Sequence, residues 1–207
     1  MNIQPIVEGH GEVSAVPVLL RRLIAEAQAY QIEVNRPIRK RQTQLLQEDS
    51  LKEAVRLARI QNRCGAILIV FEHEDACPAR LGPTLSVWAR SEAANVPCEL
   101  ALAHREYEAW FLAAIESLRG KRGIRNDAHT PPEPEAMRDA KGALEERMGP
   151  GGAYIETVDQ AALSQLFDMG TAFSRSRSFQ HLVSAFGRLV RAMGAPLGSW
   201  PPQSWQR

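Results

Sequence analysis

Acidic residues come directly after two apolar runs of the sequence. Glu8 follows the first run, and Glu72, Glu74 and Asp75 follow a second run at residues 66–71. The carboxyl ends of parallel strands share one edge of a sheet, so we expect these carboxylates to meet if the two strands are neighbours. Clustered carboxylates repel one another, and a hard cation such as Mg²⁺ or Mn²⁺ relieves the repulsion. The sequence therefore predicts a divalent-metal site that activates water and neutralises the charge of a phosphodiester.

Each of these acids has a simpler explanation when it is taken alone. Acids at strand ends often lie in solvated loops, and Glu12 and Asp75 have the alternative role of capping a helix. Glu8 and Glu72, however, both follow an apolar strand directly. For the combination we therefore favour the metal site.

Two further acids, Glu106 and Glu108, follow a third apolar run at residues 98–103. They are two positions apart, so they do not share one face of a helix. We expect one of them to face the acidic patch, as a support for the metal or a ligand of a second metal, and the other to be solvated. The alternative is a charged helix start, which the helix dipole favours.

Basic residues form three clusters that have the capacity to bind phosphate. A solvated face is the commoner explanation for any single cluster, but two clusters lie in stretches with Gly or Pro, which favours a groove along a nucleic-acid backbone. The candidate nucleic-acid-binding residues are Arg36, Arg39, Lys40, Arg41, Arg175 and Arg177, and a further cluster covers residues 119–125. Ser176 and Ser178 either hold phosphate or cap the last helix, and we favour Ser178 as the cap.

Length, charge and composition narrow the function classes. The chain has 207 residues and a net charge of +1, which excludes a generally basic binder but is compatible with a locally polarised face. The longest apolar run is too short to cross a membrane, and we expect no signal peptide. The odd count of 3 cysteines favours reduced thiols, so we expect a cytoplasmic protein. A dinucleotide fingerprint and a Walker A sequence are both missing, so we expect no nucleotide cofactor.

Alternating strands and helices in the first half of the chain position the acidic residues. Apolar runs predict strands at residues 3–7, 32–38, 66–71 and 98–103, with helices between them. This pattern predicts an α/β fold, a Rossmann-like and mainly parallel sheet of about four strands flanked by helices. The second half has no strand pattern and predicts helices at residues 135–147, 158–173 and 179–193.

The same pattern divides the chain into segments. We expect an α/β core at residues 1–118, a loop at 119–134, a helical extension packed on the core at 135–193, and an irregular tail at 194–207. The tail contains Trp200 and Trp205, which either anchor a partner or pack back on the domain.

The residues at these positions carry a family resemblance. Residues 7–12, with Glu8, Gly9, Gly11 and Glu12, resemble the first motif of the TOPRIM fold, and Glu72-His73-Glu74 resembles its DxD motif with both aspartates replaced by glutamates. More closely, the chain resembles the bacterial DUF4276 family of small TOPRIM-like proteins. The further matching stretches are residues 105–112, 138–142, 154–163 and 176–179.

The resemblance implies a metal-dependent nuclease acting on DNA or RNA, as in overcoming-lysogeny-type nucleases and topoisomerases. It also implies an ATPase partner in a bacterial anti-phage defence module. Glu8, Glu72 and Glu74 would be the catalytic residues, with Glu8 as general acid/base or ligand. The metal ligands would be Glu8, Glu72 and Glu74, supported by Glu12 and Asp75.

The glutamates at positions 72 and 74 depart from the family pattern, because glutamate reaches one methylene further than aspartate. They favour an alternative, in which the chain is a catalytically degenerate binding or regulatory subunit of an ATPase complex. A homo-oligomer is a further option.

Overall fold

The computed structural model describes residues 1–73 and 78–206. The predictions for Glu74 and Asp75 lie outside the described residues.

A parallel sheet forms the centre of the molecule. Its strands are β1 (Asn2–Val7), β2 (Glu33–Val34), β3 (Ile38–Arg39), β4 (Cys64–His73) and β5 (Cys98–His104). They are hydrogen-bonded in the order β2-β1-β4-β5, β3 also pairs with β1, and every pairing is parallel. The predicted α/β fold with a mainly parallel sheet is confirmed, and β1 and β4 are neighbours.

The strand predicted over residues 32–38 is two separate strands of two residues each, β2 and β3. Between them the backbone leaves the ladder, because Pro37 has no N–H to donate to a neighbouring strand. Side chains of β1 hold this segment instead. The amide nitrogen of Gln4 donates to the carbonyl of Arg36 at 2.9 Å, and that of Asn2 donates to the Asn35 side chain at 2.7 Å.

Helices cover both faces of the sheet. In the described residues they are α1 (Glu12–Glu26), α2 (Gln42–Leu45), α3 (Glu48–Arg59), α4 (Pro78–Ala93), α5 (Glu108–Ala113), α6 (Ala140–Glu145), α7 (Glu156–Leu166), α8 (Met169–Arg175) and α9 (Arg177–Ala192), with 3-10 turns at Ile115–Leu118, Pro134–Ala136 and Gln203–Trp205. Among these helices, none is long and apolar enough to cross a membrane.

Local capping explains where the observed helices differ from the predicted ones. The single helix predicted at residues 158–173 is two helices, because the Asp168 carboxylate accepts the N–H of Thr171 and starts α8 afresh. Asp139 caps α6 in the same way, so this helix begins at Ala140 and not at residue 135 as predicted. At α9 the cap is Ser176, whose hydroxyl accepts the N–H of Phe179, so the choice of Ser178 was wrong.

The two faces of the sheet bury separate apolar clusters. Val7, Val70 and Ala103 belong to the cluster packed under α1 and the helices of the second half, whereas Ile69 and Leu102 belong to the cluster under α3 and α4. Side chains alternate between faces along each strand, so Glu72, two residues after Val70, emerges on the side of the helical second half. The helices after residue 135 therefore share one core with the sheet.

The tail packs back on the last helices. The indole N–H of Trp200 donates to the carbonyl of Val183 in α9 at 2.8 Å, and its ring contacts Phe186. Trp205 contacts the ring of Phe173 in α8. These contacts favour the packing interpretation of the two tryptophans over the partner anchor.

Candidate active site

The acidic site lies at the carboxyl edge of the sheet, where β1, β4 and β5 end. We define it as the carboxylates of Glu8, Glu12, Glu72, Glu106, Glu108 and Glu156, together with the ammonium group of Lys141. The pairing of Val7 with Val70 and of Glu72 with Ala103 sets the three strand ends side by side. The structure thus brings Glu8 and Glu72 to one edge.

Glu12 is a buried part of this site. Its side chain folds back over the turn after β1, where Oε2 accepts the N–H groups of Glu8 and Gly9, each at 2.8 Å. The other oxygen, Oε1, is buried and has no hydrogen-bond partner among the described residues. The pKa of Glu12 is raised to about 8, mainly by burial and further by the negative charges of Glu72 and Glu8, against the two backbone hydrogen bonds, which lower it.

Glu72 bridges β4 and the segment after β5. Its Oε2 accepts the N–H of Tyr107 at 3.0 Å, and its Oε1 lies 3.3 Å from Nζ of Lys141. The pKa of Glu72 is raised to about 7: burial raises it most, the charge of Lys141 lowers it, and the charge of Glu108 raises it. A carboxylic acid with this pKa exchanges protons near neutral pH.

Glu106 and Glu108 are both buried, with 6% and 0% of their surface exposed. The expectation that one of them is solvated was wrong. The Oε2 of Glu106 accepts the backbone N–H of Lys141 at 2.8 Å. Glu108 accepts bonds from Tyr154 and Gln160 on one oxygen, while its Oε2 is buried without a partner in the described part of the chain. Burial raises the pKa of Glu108.

Lys141, the second residue of α6, is a member of the site that sequence reasoning missed. Its Nζ lies 3.3 Å from Oε1 of Glu72 and 3.2 Å from Oε2 of Glu156. Burial lowers the pKa of Lys141, but the charges of Glu108, Glu72 and Glu156 outweigh burial and raise it. The ammonium group is therefore a fixed internal cation that partly neutralises the acids.

Glu156, at the start of α7, closes the site over the turn after β1. Its Oε1 accepts the N–H of Gly11 at 3.2 Å. A Cβ atom on Gly11 would lie 2.5 Å from Oε1 of Gln160 and 3.0 Å from the carbonyl oxygen of Glu156, so only glycine fits this approach. The glycines of the turn thus allow α7 to lie directly on it.

A family model described as "Domain of unknown function (DUF4276)" matches residues 7–186. The chain belongs to the DUF4276 family. Every residue of the acidic site lies inside the matched range. Comparisons with curated proteins and with solved structures give no significant match.

The signal for Lys141 and Glu156 was present in this DUF4276 chain, because both lie in stretches that carry the family resemblance, at residues 138–142 and 154–163. Neither stretch follows a strand, so the argument from strand ends did not reach them. Their contacts with Glu72 and Gly11 join residues far apart in the sequence, which no local spacing indicates.

The first basic cluster borders the acidic site. Arg39 pairs with Val7 across β3 and β1, and its guanidinium donates to the carbonyl of Glu8 at 3.3 Å. Lys40 pairs with Glu53 at 3.2 Å, whereas Arg36 and Arg41 are exposed. The structure therefore places the exposed guanidinium group of Arg39 against the backbone of Glu8.

The other basic residues have different surroundings. Arg175 binds Glu116 at 2.8 Å and the hydroxyl of Thr130 at 2.9 Å, which ties α8 to the loop after residue 119. Arg177 is exposed at the start of α9. In the cluster at residues 119–125, Arg122 pairs with buried Asp159. Arg175 and Arg122 thus hold the molecule together, whereas Arg177 faces outward.

The donor set of the acidic site fits a hard divalent cation in its chemistry. All its candidate ligands are carboxylate oxygens, and Oε1 of Glu12 is a buried acceptor without a described partner. Among residues 1–73 and 78–206, no group of three ligand side chains is already arranged around one metal position. The expected ligands Glu74 and Asp75 fall outside these ranges.

Proposed function

We propose that this protein is a TOPRIM-like nuclease that depends on Mg²⁺ or Mn²⁺ and hydrolyses phosphodiesters of DNA or RNA, in a bacterial anti-phage defence module with an ATPase partner. One observation carries the proposal: Glu8, Glu12 and Glu72 lie at the same carboxyl edge of a parallel sheet, close enough for the charges of Glu8 and Glu72 to act on Glu12, whose buried Oε1 has no described partner. Ligands of open parallel sheets bind at this edge.

The cation would be held by Glu8, Glu12 and Glu72, with Glu74 and Asp75 as the remaining candidate ligands. When bound, it would supply the Lewis acidity that polarises a phosphodiester. Neighbouring groups favour the ionised form of Glu72, which is the form that binds a cation. Lys141 and the N–H of Tyr107 both act against burial and lower the pKa of Glu72, which keeps a larger fraction of this carboxyl group ionised.

Glu8 and the arginines of the first basic cluster have separate roles in the proposed reaction. Glu8, which is half-buried, accepts the proton of the attacking water. Arg39, which lies opposite Val7 at the end of β1, and the nearby Arg36 and Arg41 hold the phosphates that flank the scissile bond.

The test is cleavage of single-stranded DNA, double-stranded DNA and transfer RNA with Mg²⁺, Mn²⁺ or a chelator. We expect cleavage with metal only, and a loss of about 100-fold or more in Glu8→Gln and Glu72→Gln. Glu146→Gln, at an exposed position of the chain, is the matched control and should cleave normally. Unchanged cleavage in Glu8→Gln and Glu72→Gln would show that the activity belongs to another site.

A second candidate function, a regulatory subunit of an ATPase complex, is favoured by Lys141. Its ammonium group already pairs with Glu72 and Glu156, so the acids have an internal counter-charge. Titration with Mn²⁺ separates the two candidates. Binding by Lys141→Ala but not by the wild type, together with no cleavage by either, would favour the regulatory subunit over the nuclease.

A further inference from the structure

A cavity of about 850 Å³ lies at the free edge of β5, outside the acidic site. Helix α4 forms one wall with Gly82, Pro83 and Val87, and the start of α9 forms the opposite wall. Leu102 and His104 at the end of β5 form the floor. None of these residues has a part in the acid and metal chemistry proposed above.

The floor of the cavity reaches the carboxyl end of β5, and the acidic site also lies at the carboxyl ends of the strands. In the pairing of β4 with β5, Ala103 lies opposite Glu72 and His104 opposite His73. Leu102 and His104 face the opposite side of the sheet from Glu72, whereas the α9 wall belongs to the side that carries Glu72, so the cavity extends around the free edge of β5. A polymer bound at the acidic site would reach the cavity by passing over the carboxyl end of β5, one strand spacing of about 4.8 Å from β4.

The α4 wall contains two residues that weaken a helix. Gly82 and Pro83 lie inside α4, where glycine has low helix propensity and proline has no N–H to donate to the carbonyl of Ala79. A Cβ atom on Gly82 would meet nothing within 4 Å. Packing therefore does not require glycine at position 82. Because glycine has no side chain, the cavity stays open at this point of the α4 wall.

The lining combines apolar surface with flat cationic or aromatic groups. Leu102, Pro83 and Val87 supply the apolar part, and Val87 is 67% exposed. His104 and His181 supply imidazoles, and Arg177 supplies a guanidinium group. Imidazole and guanidinium planes stack on nucleobases, and every base offers them a π face.

The acidic group in the lining, Glu135, is already engaged. Its carboxylate accepts the N–H groups of Arg177 at 3.0 Å and Ser178 at 2.8 Å, and the hydroxyl of Ser176 at 2.8 Å. The N-terminus of α9 thus balances this charge, so the cavity does not present an uncompensated carboxylate to an anionic ligand.

We propose that this cavity binds one nucleobase of a single-stranded nucleic acid, the base next to the phosphodiester that the acidic site cleaves. The proposal rests on the proposed nuclease function. The apolar floor and the planes of His104, His181 and Arg177 hold the base, and the acidic site holds the adjoining phosphate.

The experiment measures binding of two fluorescein-labelled DNA 12-mers, one of thymidine and one abasic over its whole length, by anisotropy in a chelator. We expect the wild type to bind the thymidine oligomer at least tenfold more tightly than the abasic one. Gly82→Trp fills the cavity and should remove this preference, whereas Gly82→Ala should bind within twofold of the wild type. His181→Ala on the opposite wall tests the same site without filling it, and should reduce the preference.

The outcomes separate this proposal from the nuclease function. Full preference for thymidine in folded Gly82→Trp and in His181→Ala would overturn the base site, even if the protein cleaves. Loss of preference in these variants, with normal binding by the exposed control Glu146→Gln, would support the base site, even if no metal gives cleavage. If Gly82→Trp does not fold, His181→Ala decides alone.

Discussion

Burial and charge compete at the carboxylates of the acidic site. Glu12 and Glu108 are almost completely buried, and each has an oxygen without a partner among the described residues. Such a group is costly to ionise unless a cation stands close by. Lys141 provides part of that compensation to Glu72, Glu156 and Glu108, but burial still raises the pKa of both Glu12 and Glu108.

The pH dependence of stability follows from Glu12. Its pKa is about 8 in the folded protein and about 4.5 in the unfolded chain. Between these values the folded state holds a proton that the unfolded state has lost, so the free energy of unfolding falls as pH rises. One such group contributes a slope of at most about 1.4 kcal/mol per pH unit. We expect Glu12→Gln to lose this part of the slope between pH 5 and pH 8, as measured by urea unfolding in a chelator.

The control for this prediction is Glu146→Gln, which changes an exposed carboxylate and should keep the wild-type slope. Glu72, whose pKa is raised to about 7, and Glu108, whose pKa is also raised, contribute a slope of the same sign, which both variants retain. An unchanged slope in Glu12→Gln would mean that Glu12 is ionised in the folded protein throughout this range.

At the scale of residues, the sequence was sufficient to predict the acids at the strand ends, because each of them directly follows an apolar run. It did not reach Lys141, which lies 69 positions from its partner Glu72. It also failed to predict the burial of both Glu106 and Glu108, because burial there depends on the helices of the second half, α6 and α7, which cover that edge of the sheet.

At the scale of elements, α7 determines the shape of the site. It packs against α1 and lies on the turn after β1, where the backbone of Gly11 contacts Glu156 and Gln160. Both ends of β1, β4 and β5 were predicted within two residues, because long apolar runs specify buried parallel strands. Helix ends were harder to place, because the groups that cap α6 and α8, Asp139 and Asp168, were not recognised as caps.

Gly11→Ala tests the close approach of α7. The added methyl group would lie 2.7 Å from Cγ of Glu156 and 3.0 Å from its carbonyl oxygen, so α7 must move. We expect a loss of about 1–3 kcal/mol in the free energy of unfolding, measured with urea, as for other overpacked positions. Under the proposed function, cleavage should fall as well, because Glu156 and Lys141 move with the helices.

The matched control is Gly82→Ala, where a Cβ atom meets nothing within 4 Å. This helical position should gain up to about 1 kcal/mol from the better helix propensity of alanine. If Gly11→Ala were as stable as Gly82→Ala, the turn and α7 would not be in the contact described here.

At the scale of the whole molecule, the larger of the two apolar clusters extends from β1 to α9, and the tail packs against it. The division of the sequence into a core and a helical extension follows the secondary structure, but the packing does not follow it. Trp110 of α5 illustrates this, since its indole donates to Ser178 and its ring contacts Phe179 at the start of α9. Composition alone did not reveal this continuity, because it depends on contacts between residues distant in sequence.

The tail is the last part of that cluster, and Gly187 in α9 provides the test. A Cβ atom on Gly187 would overlap the ring of Trp200, whose N–H bonds to Val183. If the tail is docked, Gly187→Ala should lower the free energy of unfolding by about 1–3 kcal/mol in urea. If the tail is undocked in solution, the same change should raise the free energy of unfolding by up to about 1 kcal/mol, because alanine is the better helix former.

A double variant provides the control. Gly187→Ala should become neutral or stabilising once Trp200→Ala has removed the ring, since the effects of contacting residues are not additive. A destabilisation that persists in the double variant would place its cause elsewhere in α9.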